Sequence, residues 1–568
     1  MLAFSADFCT PRLRRCYGHY KPTRARRDKL LLPMPSTIYD VCVIGSGAAG
    51  GIVTKTLCEA GAKVILLEAG EEVKPARFRS HCWPYDLQYR GFRNEKQELF
   101  YPGDVRTSIR YDNSDGVSVD RIRVLGGRTV HWNAVVLRYA PPDFRQKSTY
   151  GIETDWPISY AEIAPYYDRI EQMIGVCGND DRLEILPAGP HYLPPLPLRC
   201  SETILKKAVE PMGIPVISVR KALLTRNYDN RPACHYCGHC MDGCDVSAIY
   251  STPGSMLPKA RRTGNLTLRQ NALAREILLD GNGLARAVSI VDRQTKREEE
   301  IRARIIVVCC ATIETARLLL NSKSRRHPEG LANSSGVVGR YLHGHSNGQI
   351  YMYLKELEGR PPSNQDGALD QAFIPRYDTK RFTGTYDFQV NFAGYMFPFQ
   401  ARTIAGYGSS FKKEVRRMQG AMLQMGGYGK VVGHPDNRVT VDPNRKDAFG
   451  IPIPVVHFRF GDLDRQVYSQ MRTASLEMAD RLKADVRSRI PENPGGFASH
   501  ENGTVRMGAD PRTSALNAFC QSHDVKNLFV TDGSTFPTSA EKNPTLTIMA
   551  LSLRASEYMI EKRRKGEL

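Results

Sequence analysis

The sequence predicts an α/β protein with a Rossmann-like nucleotide-binding domain and a second, α+β domain. Residues 39–45 and 304–311 are apolar, largely β-branched runs, and each is followed by a segment with helical periodicity. Between about residues 345 and 495 apolar and polar residues alternate instead, with a helix-like segment at about 464–484. Such alternation is typical of an antiparallel sheet, here backed by helices.

Composition and charge exclude several classes of protein. The 568 residues are 41% hydrophobic and 24% charged, as in globular domains and unlike collagen, disulfide-knot or disordered chains. The net charge is +19, but no concentrated basic patch is present, so we expect no nucleic-acid partner. No apolar run approaches about 18 residues, so we expect no membrane span. Residues 1–37 are predicted to form a disordered basic tail without an apolar export core.

A dinucleotide-binding motif directly follows the first predicted strand. Gly45 permits a tight turn, Gly47 lets the backbone approach a pyrophosphate, and Gly50 lets the next helix pack on the strand. Glu68 ends the second predicted strand, 18 residues beyond Gly50, where it can accept a hydrogen bond from a ribose hydroxyl. This acid favours FAD or NAD over NADP. The motif assigns to the cofactor Gly45, Gly47, Ala48, Ala49, Gly50, Glu68 and Ala69.

Further blocks occur in order along the chain and, with this motif, carry a family resemblance. They are Gly126–Asn133, Asp155–Tyr160, and a C-terminal block running from His500–Gly508 through Asn527–Gly533 to Asn543–Thr547. Over about residues 38–563 the sequence resembles the glucose–methanol–choline (GMC) flavoprotein oxidoreductases. The resemblance implies an FAD-binding domain that is discontinuous in sequence and is wound around a substrate domain built on an antiparallel sheet.

The resemblance also implies domain boundaries. The expected segments are a basic tail (1–37), a first FAD-binding segment (38–150), a substrate-domain or lid segment (151–225), a second FAD-binding segment with a cysteine cluster at 234–244 (226–344), the substrate-binding domain (345–495) and a third FAD-binding segment with the catalytic residues (496–568). Two predicted strands, 266–279 and 286–292, are separated by a hairpin-type turn at Asp280–Gly283.

Alcohol oxidation removes a proton from oxygen and a hydride from carbon, and the resemblance names residues for the proton. A neutral imidazole is the usual base near neutral pH. In this family a histidine is paired with a second histidine or an asparagine, and the matching residues here are His500 and Asn543. The resemblance thus implies that His500 accepts the hydroxyl proton and that Asn543 holds the substrate oxygen, a pair similar to that of the pyranose oxidases.

The resemblance assigns further residues to FAD. His131 matches the position of covalent attachment in pyranose oxidases, but Arg128 and Val130 depart from their pattern, which favours a non-covalent contact over attachment. Thr545 begins a helix whose N–H groups are expected at the flavin pyrimidine edge. The other residues implied to contact the cofactor are Gly126, Gly127, Asn133, Ala311, Glu314, Asp532, Gly533 and Asn543.

Four cysteines have the C-x2-C-x2-C-x3-C spacing of bacterial ferredoxins, except that Asp245 replaces the usual proline. They are Cys234, Cys237, Cys240 and Cys244. An iron–sulfur cluster is one hypothesis, and a zinc site or a metal-free loop over the flavin are the alternatives. A cluster would carry electrons from the flavin to an external acceptor and make the enzyme a dehydrogenase, whereas without it oxygen is open as the acceptor.

The function implied by the resemblance is that of an FAD-dependent dehydrogenase that oxidises a hydroxyl group of a sugar, glycoside or polyol. Two alternatives stay open: an oxygen-reducing oxidase of similar substrates, and a non-catalytic flavin subunit of an electron-transfer complex. The expected partners are the small-molecule substrate and an electron-acceptor protein or small partner subunit. Because we see no export signal, we expect the protein in the cytoplasm, or in the periplasm if it is co-exported with a partner subunit.

Overall fold

The two predicted strand-to-helix units place their strands side by side in one parallel sheet. In the computed structural model, β1 (Tyr39–Ile44) lies between β2 (Val64–Leu67) and β8 (Glu298–Val308) and is parallel to both. β5 (Leu266–Arg269) extends this sheet beyond β2, and β16 (Leu528–Val530) pairs in parallel with β8. Most side chains of β1 and all of those of β2 are buried, as expected for parallel strands covered by helices on both faces.

The structure describes residues 37–78, 109–112, 114, 115, 117, 119, 121–238, 240–361, 368–377, 385–394, 396, 400–496 and 500–568. Residues 38–568 form one compact unit, and residues 1–36 of the predicted basic tail lie outside the described residues. Within the described ranges, no helix has both the length and the apolar character needed to cross a membrane.

The described residues contain sixteen strands and nine α-helices. The remaining strands are β3 (Arg110–Tyr111), β4 (Ile217–Ser218), β6 (Ala272–Leu279), β7 (Ala285–Asp292), β9 (His345–Tyr353), β10 (Ala372–Ile374), β11 (Tyr386–Ala393), β12 (Met422–Lys430), β13 (Arg438–Lys446), β14 (Pro452–His457) and β15 (Asp485–Ser488). The helices are α1 (Ala48–Glu59), α2 (Gln146–Tyr150), α3 (Tyr160–Ile174), α4 (Cys200–Val209), α5 (Met256–Arg262), α6 (Thr312–Asn321), α7 (Gly408–Met418), α8 (Asp462–Arg481) and α9 (Thr545–Arg564).

The central sheet has seven strands because β8 is long enough to serve two sets of partners. Its second half pairs with β1 and β16, and its first half pairs antiparallel with β7, which in turn pairs with β6. The predicted turn at Asp280–Gly283 connects β6 and β7. The predicted strand 266–279 is divided into β5 and β6 near Asn271, whose backbone φ is +57°. One end of the segment therefore extends the parallel strands of the sheet, and the other belongs to its antiparallel strands.

The antiparallel sheet predicted after residue 345 has six strands in the order β15-β9-β12-β11-β10-β4. One face is apolar: Phe388 and Val390 of β11 and Met425 of β12 pack in the same buried cluster as Met471 of α8. The opposite face of its central strands is polar. Because directly opposed residues share a face, Asn347 and Tyr428 lie beside Asp387, while Gln349 and Gly426 lie beside Gln389.

Two strands that the alternation predicts belong to a different sheet. β13 and β14 pair antiparallel with each other, and β14 pairs in parallel with β3, which gives a separate three-stranded sheet. Alternation identifies a strand with one buried face, but it does not identify the sheet that the strand joins.

The fold class predicted from the sequence is confirmed: a mixed α/β protein with a mainly parallel, nucleotide-binding sheet and an antiparallel second sheet. The strands of the first sheet come from three separate stretches, around residues 39–67, 266–308 and 528–530. The short strand β4 joins the antiparallel sheet from well before residue 345. The domain boundaries themselves stay a prediction.

Candidate active site

A cavity lies at the carboxyl ends of β1, β2 and β8, where open α/β sheets usually bind ligands. Its volume is ≈ 1490 Å³ when the space that opens to solvent is included. The sequence-predicted residues that line it are Gly45, Gly47, Ala48, Ala49, Glu68, Ala69, Gly127, Ala311, Glu314, His500, Asp532, Gly533 and Thr545. The sequence-predicted residues outside this lining are Gly50, Gly126, His131, Asn133 and Asn543.

The glycines of the first turn are required by close approaches of the backbone. A Cβ at Gly50 would collide with the carbonyl oxygen of Gly45, and a Cβ at Gly45 would collide with that of Cys309. Gly47 is different, because a Cβ there would meet no heavy atom within 4 Å. Gly47 is also the residue that precedes α1, so its open side lies at the helix N-terminus, where free N–H groups favour a phosphate.

Glu68 is fixed by hydrogen bonds at the end of β2. Its carboxylate accepts from the backbone N–H of Ser46 at 3.1 Å and from that of Gly70 at 2.8 Å. Burial raises the pKa of Glu68, and the hydrogen bonds from Ser46 and Gly70 oppose that shift. The Ser46 hydroxyl also accepts from the N–H of Gly126 at 2.8 Å, which ties the glycine-rich turn to the Gly126–Gly127 loop. Ser46 was not predicted from the sequence.

Asp532 connects the loop after β16 with the turn after β8. Its carboxylate accepts from the N–H of Ala311 at 3.0 Å, the hydroxyl of Thr315 at 2.6 Å and the N–H of Ser534 at 2.9 Å. Ala311 has a φ of +68°, a left-handed conformation that a non-glycine residue rarely adopts. The hydrogen bond to Asp532 holds that conformation in place. Burial raises the pKa of Asp532.

Two arginines that were not predicted from the sequence line the same cavity. Arg121 and Arg123 lie two residues apart just before Gly126, and both line the cavity. Arg121 forms an ion pair with Glu314, and Arg123 Nη2 lies 3.8 Å from Glu314 Oε1. Arg317 Nη1 lies 3.2 Å from Glu314 Oε2. Glu314 therefore lines the cavity as a carboxylate already paired with arginines.

Four side chains from distant segments form a hydrogen-bonded row beside the cavity. We call this row, Gln389, Asn543, His500 and His345, the histidine–amide chain. Gln389 Nε2 donates to Asn543 Oδ1 at 3.0 Å, and Asn543 Nδ2 lies 3.2 Å from His500 Nε2. His500 Nδ1 lies 2.8 Å from His345 Nδ1, with the two rings nearly perpendicular. His345 Nε2 lies 2.7 Å from the carbonyl oxygen of Ala540.

The structure thus brings His500 and Asn543 together and adds two residues that were not predicted from the sequence. His345 is fully buried at the start of β9, and Gln389 is buried in the middle of β11. A signal was present in the sequence, because β9 carries His345, Asn347 and Gln349 at alternate positions. Polar side chains on one face of a buried strand predict a ligand or a hydrogen-bond network on that face.

Both histidines are held neutral. Burial lowers the pKa of His345 to about 4. The pKa of His500 lies well below its usual value, first because of burial and then because of the neighbouring His345 and Arg128. Arg128 itself is paired with Glu501 at 3.0 Å. A neutral imidazole has a lone pair and can therefore accept a proton.

The last three side chains of the Gly126–Asn133 block each contact a more distant segment of the protein. His131 Nδ1 contacts the carbonyl oxygen of Met241, and Trp132 Nε1 donates to the carbonyl oxygen of Tyr250 at 2.9 Å. Asn133 Nδ2 donates to Asp370. The contact with Met241 places His131 against the cysteine-rich segment, so one of its two ring nitrogens is already engaged.

The four clustered cysteines do not form a metal centre in this structure. Among the described residues these four cysteines form no disulfide, and no group of three or more His, Cys, Asp or Glu side chains is placed to hold a metal ion. Burial raises the pKa of Cys234 to about 12, and the neighbouring Cys240 adds to that shift. Cys240 packs in the main core, with Cys234 and Cys244 against it. The arrangement therefore does not support the iron–sulfur cluster suggested by the spacing.

The fold and the cavity together define a class of protein. A glycine-rich βαβ turn, an acid at the end of the second strand and a neutral histidine at one cavity are typical of flavin-dependent oxidoreductases. Family models described as GMC oxidoreductase match residues 40–347 and residues 433–552. The chain belongs to the GMC oxidoreductase family, and it is an FAD-dependent enzyme that acts on CH–OH groups. The family, the enzyme class and the FAD predicted from the sequence are confirmed.

Individual relatives agree with this assignment over nearly their whole length. The chain is 31% identical to the 2-methyl-1,2-propanediol dehydrogenase of Mycolicibacterium austroafricanum, over 92% of this chain and 95% of that protein. It is 28% identical to the fructose dehydrogenase large subunit of Gluconobacter japonicus, over 93% and 98% respectively. The crystal structure of pyridoxine 4-oxidase from Mesorbium loti has the same fold, with a TM-score of 0.65, 19% identity, and 92% and 99% of the two chains covered.

Proposed function

We propose that this enzyme oxidises a hydroxyl group of a sugar, glycoside or polyol to a carbonyl, with His500 as the base. The observation that carries the proposal is a neutral imidazole at the cavity wall, hydrogen-bonded to the amide of Asn543. A base with these properties accepts the hydroxyl proton while the carbon loses its hydride. Bound FAD supplies the acceptor for that hydride.

Asn543 is suited to orient the substrate oxygen. Its Oδ1 accepts from Gln389, which turns its amide nitrogen towards His500. An amide nitrogen has two hydrogens, so one remains for a substrate oxygen when the other points at the imidazole. The separation of 3.2 Å between Asn543 Nδ2 and His500 Nε2 is at the long end for such a bond. We propose that the substrate hydroxyl replaces this contact when it binds to His500.

The residues that line the cavity fit an FAD molecule. The open side of Gly47 and the N–H groups at the start of α1 suit the pyrophosphate, and Glu68 suits a ribose hydroxyl. Arg121 and Arg123 add positive charge to the same wall. At the other end, α9 begins at Thr545, which gives N–H groups suited to the electron-rich edge of a flavin ring. We propose a non-covalent contact for His131.

The preference for a polyhydroxylated substrate is supported by the polar face of the antiparallel sheet. That face carries His345 and Gln389 of the histidine–amide chain, and Gln349 and Asp387 lie on it as well. Both carboxylate oxygens of Asp387 are buried, and neither has a hydrogen-bond partner among the residues that the structure describes. Unpaired buried polar atoms favour a ligand with several hydroxyl groups. Two of the relatives are named for a fructose and a propanediol substrate.

We propose a dehydrogenase rather than an oxidase, because the two relatives just named are dehydrogenases. The name of the first also describes a large subunit, which supports an electron-acceptor protein or partner subunit for this chain. The cytoplasmic location stays a prediction, as does its periplasmic alternative.

An anaerobic visible spectrum tests this function directly. Purified protein is recorded before and after addition of ketoses, aldoses, glycosides, polyols and, as a control, a simple alcohol such as 1-propanol. We expect flavin absorbance that bleaches with at least one polyhydroxylated compound and not with 1-propanol. Slow reoxidation by air but rapid reoxidation by an artificial dye identifies a dehydrogenase, and rapid peroxide formation identifies an oxidase. A flavin that no compound bleaches would instead favour the non-catalytic subunit.

The same sample decides how the flavin is held and whether a cluster is present. After acid precipitation the flavin should remain in the supernatant, and a yellow pellet would indicate the covalent link to His131. The iron content should be negligible. Stoichiometric iron, together with visible absorbance that the flavin does not account for, would support the iron–sulfur hypothesis for Cys234–Cys244.

A further inference from the structure

We infer that His345 is a positioning residue that fixes which ring nitrogen of His500 carries the proton. This inference rests on the proposed role of His500 as the base. It starts from the contact of His345 Nε2 with the carbonyl oxygen of Ala540 at 2.7 Å. A carbonyl oxygen only accepts hydrogen bonds, so the proton of His345 must lie on Nε2.

The proton between the two rings must then belong to His500. Their Nδ1 atoms are 2.8 Å apart, and a contact this short between two nitrogens requires one proton between them. Because His345 is neutral and already carries its proton on Nε2, its Nδ1 has a lone pair. His500 therefore donates from Nδ1. Its Nε2, the atom nearest Asn543, is left with the lone pair that a base needs.

The two amides support the same assignment from the opposite direction. Gln389 donates to Asn543 Oδ1, so the Asn543 nitrogen is the end that faces His500 Nε2. An amide nitrogen donates and cannot accept, so the nitrogen it faces must have a lone pair. All hydrogen bonds of the histidine–amide chain therefore run in the same direction from donor to acceptor. The order is Gln389, Asn543, His500, His345 and finally the carbonyl oxygen of Ala540.

One short loop supplies two of the groups that surround the histidines. Ala540 supplies the final acceptor, and Asn543 lies three residues further on. Between them, Lys542 Nζ lies 2.7 Å from Glu541 Oε1 and 3.0 Å from Asp143 Oδ2, all with side chains 2% exposed. A buried ion pair of this kind fixes the loop because separating the charges is costly. The tautomer of His500 is therefore determined by its buried, fixed hydrogen-bond partners and not by solvent.

The alternative tautomer of His500 would create two unfavourable contacts. With its proton on Nε2, His500 would present N–H to the N–H of Asn543, and two lone pairs would face each other at the Nδ1 atoms. Protonation of His345 would remove the contact between the two lone pairs, but it would bury a charge, which the low pKa of His345 opposes.

The charged and titratable groups that act on the two rings are Arg128, His343, Glu541 and Lys542, and Tyr428 lies beside both rings.

Nitrogen NMR of the protein with ¹⁵N-labelled histidine tests the tautomer without any catalysis. We expect His500, identified by the signal lost in His500→Ala, to show a protonated Nδ1 and an unprotonated Nε2 in the FAD-loaded enzyme at neutral pH. In His345→Leu, which keeps an apolar group but removes the acceptor, we expect the Nε2–H form to appear. A protonated Nε2 of His500 in the unaltered protein would overturn the inference.

Kinetics of flavin reduction separate positioning from mere stability. His345→Leu should lower the limiting rate constant of reduction about 10- to 100-fold, the usual cost of losing an orienting partner of a functional histidine, with little change in substrate affinity. His345→Asn, whose Oδ1 lies close to the position of Nδ1, should recover most of that rate. His523→Asn is the control, because His523 lies outside the histidine–amide chain and its Nε2 contacts Ser514 Oγ at 3.1 Å instead.

The outcomes distinguish failure of this inference from failure of the proposed function. An unaltered reduction rate in His345→Leu would refute the positioning role of His345. Equal losses in His345→Leu, His345→Asn and His523→Asn would show a structural role only and would also refute it. If no substrate reduces the unaltered enzyme, the proposed function fails, whereas the NMR result still decides the tautomer. If His345→Leu does not fold, the spectrum of the unaltered protein and the His345→Asn rate decide the question.

Discussion

The two ends of the cavity differ in the way they treat charge. The nucleotide end, formed by Gly45–Gly50, Glu68 and Asp532, holds carboxylates among backbone N–H donors, and Arg121 and Arg123 lie on the same wall. The histidine–amide chain at the other end is neutral throughout, because both of its imidazoles have lowered pKa values. The two ends of the cavity therefore suit different roles. The fixed charges and dipoles of the nucleotide end suit an ionic cofactor, and the neutral lone pair at the other end suits proton transfer.

The difference extends to the kind of chain segment that builds each end. The nucleotide end is mainly backbone: a turn that needs Gly45 and Gly50, and a strained Ala311 held by Asp532. The histidine–amide chain is made of side chains from β9, β11 and the C-terminal segment. Substitutions at the two ends should therefore affect different properties, namely cofactor affinity at one and the reduction rate at the other.

The largest expected effect is at the neutral end. His500→Ala removes the proposed base, so the rate constant of anaerobic flavin reduction by substrate should fall about 10²- to 10⁴-fold. The nucleotide end is unaltered, so the amount of bound FAD should stay the same. Stopped-flow absorbance measures the first quantity, and the flavin-to-protein ratio measures the second.

His434→Ala is the control for this change. His434 has a side chain that is 63% exposed, and it lies outside the histidine–amide chain. It should keep both the reduction rate and the FAD content. A normal reduction rate in His500→Ala would remove His500 from the mechanism, and a variant without FAD would show that the two ends are not separable.

Acid should destabilise the neutral end by a smaller amount. The pKa of His345 is about 4 when folded against an ordinary 6.5, so the unfolded chain takes up the proton first. Its contribution to the free energy of unfolding is complete above about pH 6.5 and is lost as the pH falls towards 4, by about 3 kcal/mol in total. Urea unfolding at several pH values between 7 and 4.5 measures this loss.

The nucleotide end should respond to pH with the opposite sign. Burial raises the pKa of Glu68 and Asp532, so each favours folding below its unfolded pKa and loses that contribution as the pH rises through its folded value. The acid loss should therefore be traceable to histidine. His345→Asn should unfold with a weaker dependence on pH between 6.5 and 4.5 than the unaltered protein, and an identical dependence would contradict the assignment.

The same contrast explains how much of the molecule the sequence could predict. The parallel sheet, the turn at Gly45–Gly50 and Glu68 follow from local spacing, because each consists of residues close together in the chain. His345 and Gln389 do not follow from spacing, since the register of β9, β12 and β11 sets where they meet His500 and Asn543, respectively. Register depends on the whole sheet, so a single strand does not reveal it.

The iron–sulfur hypothesis for the cysteine segment is not supported by the structure, for a related reason. Spacing shows that four thiols lie close together in the chain, but ligation requires that they converge on one point as thiolates. Here Cys240 is packed into the core with Cys234 and Cys244 against it, and no metal-binding group is found among the described residues. Glu314, which the resemblance assigns to the cofactor, lines the cavity, but its pairing with Arg121 depends on a distant segment that spacing does not reveal.

The smallest expected effect is at the nucleotide end, where one side chain can be added without disturbing the fold. Gly47 has a φ of −66°, outside the positive range that favours glycine, and no described atom beyond its chain neighbours lies within 4 Å of a Cβ built there. Gly47→Val should therefore fold normally but occupy the space proposed for the pyrophosphate, weakening FAD binding at least about tenfold, or about 1.4 kcal/mol. Gly281→Val, at an equally open position in the β6–β7 turn, is the control. Fluorescence titration of the apoprotein with FAD measures both, and equal affinity in the two variants would place the pyrophosphate elsewhere.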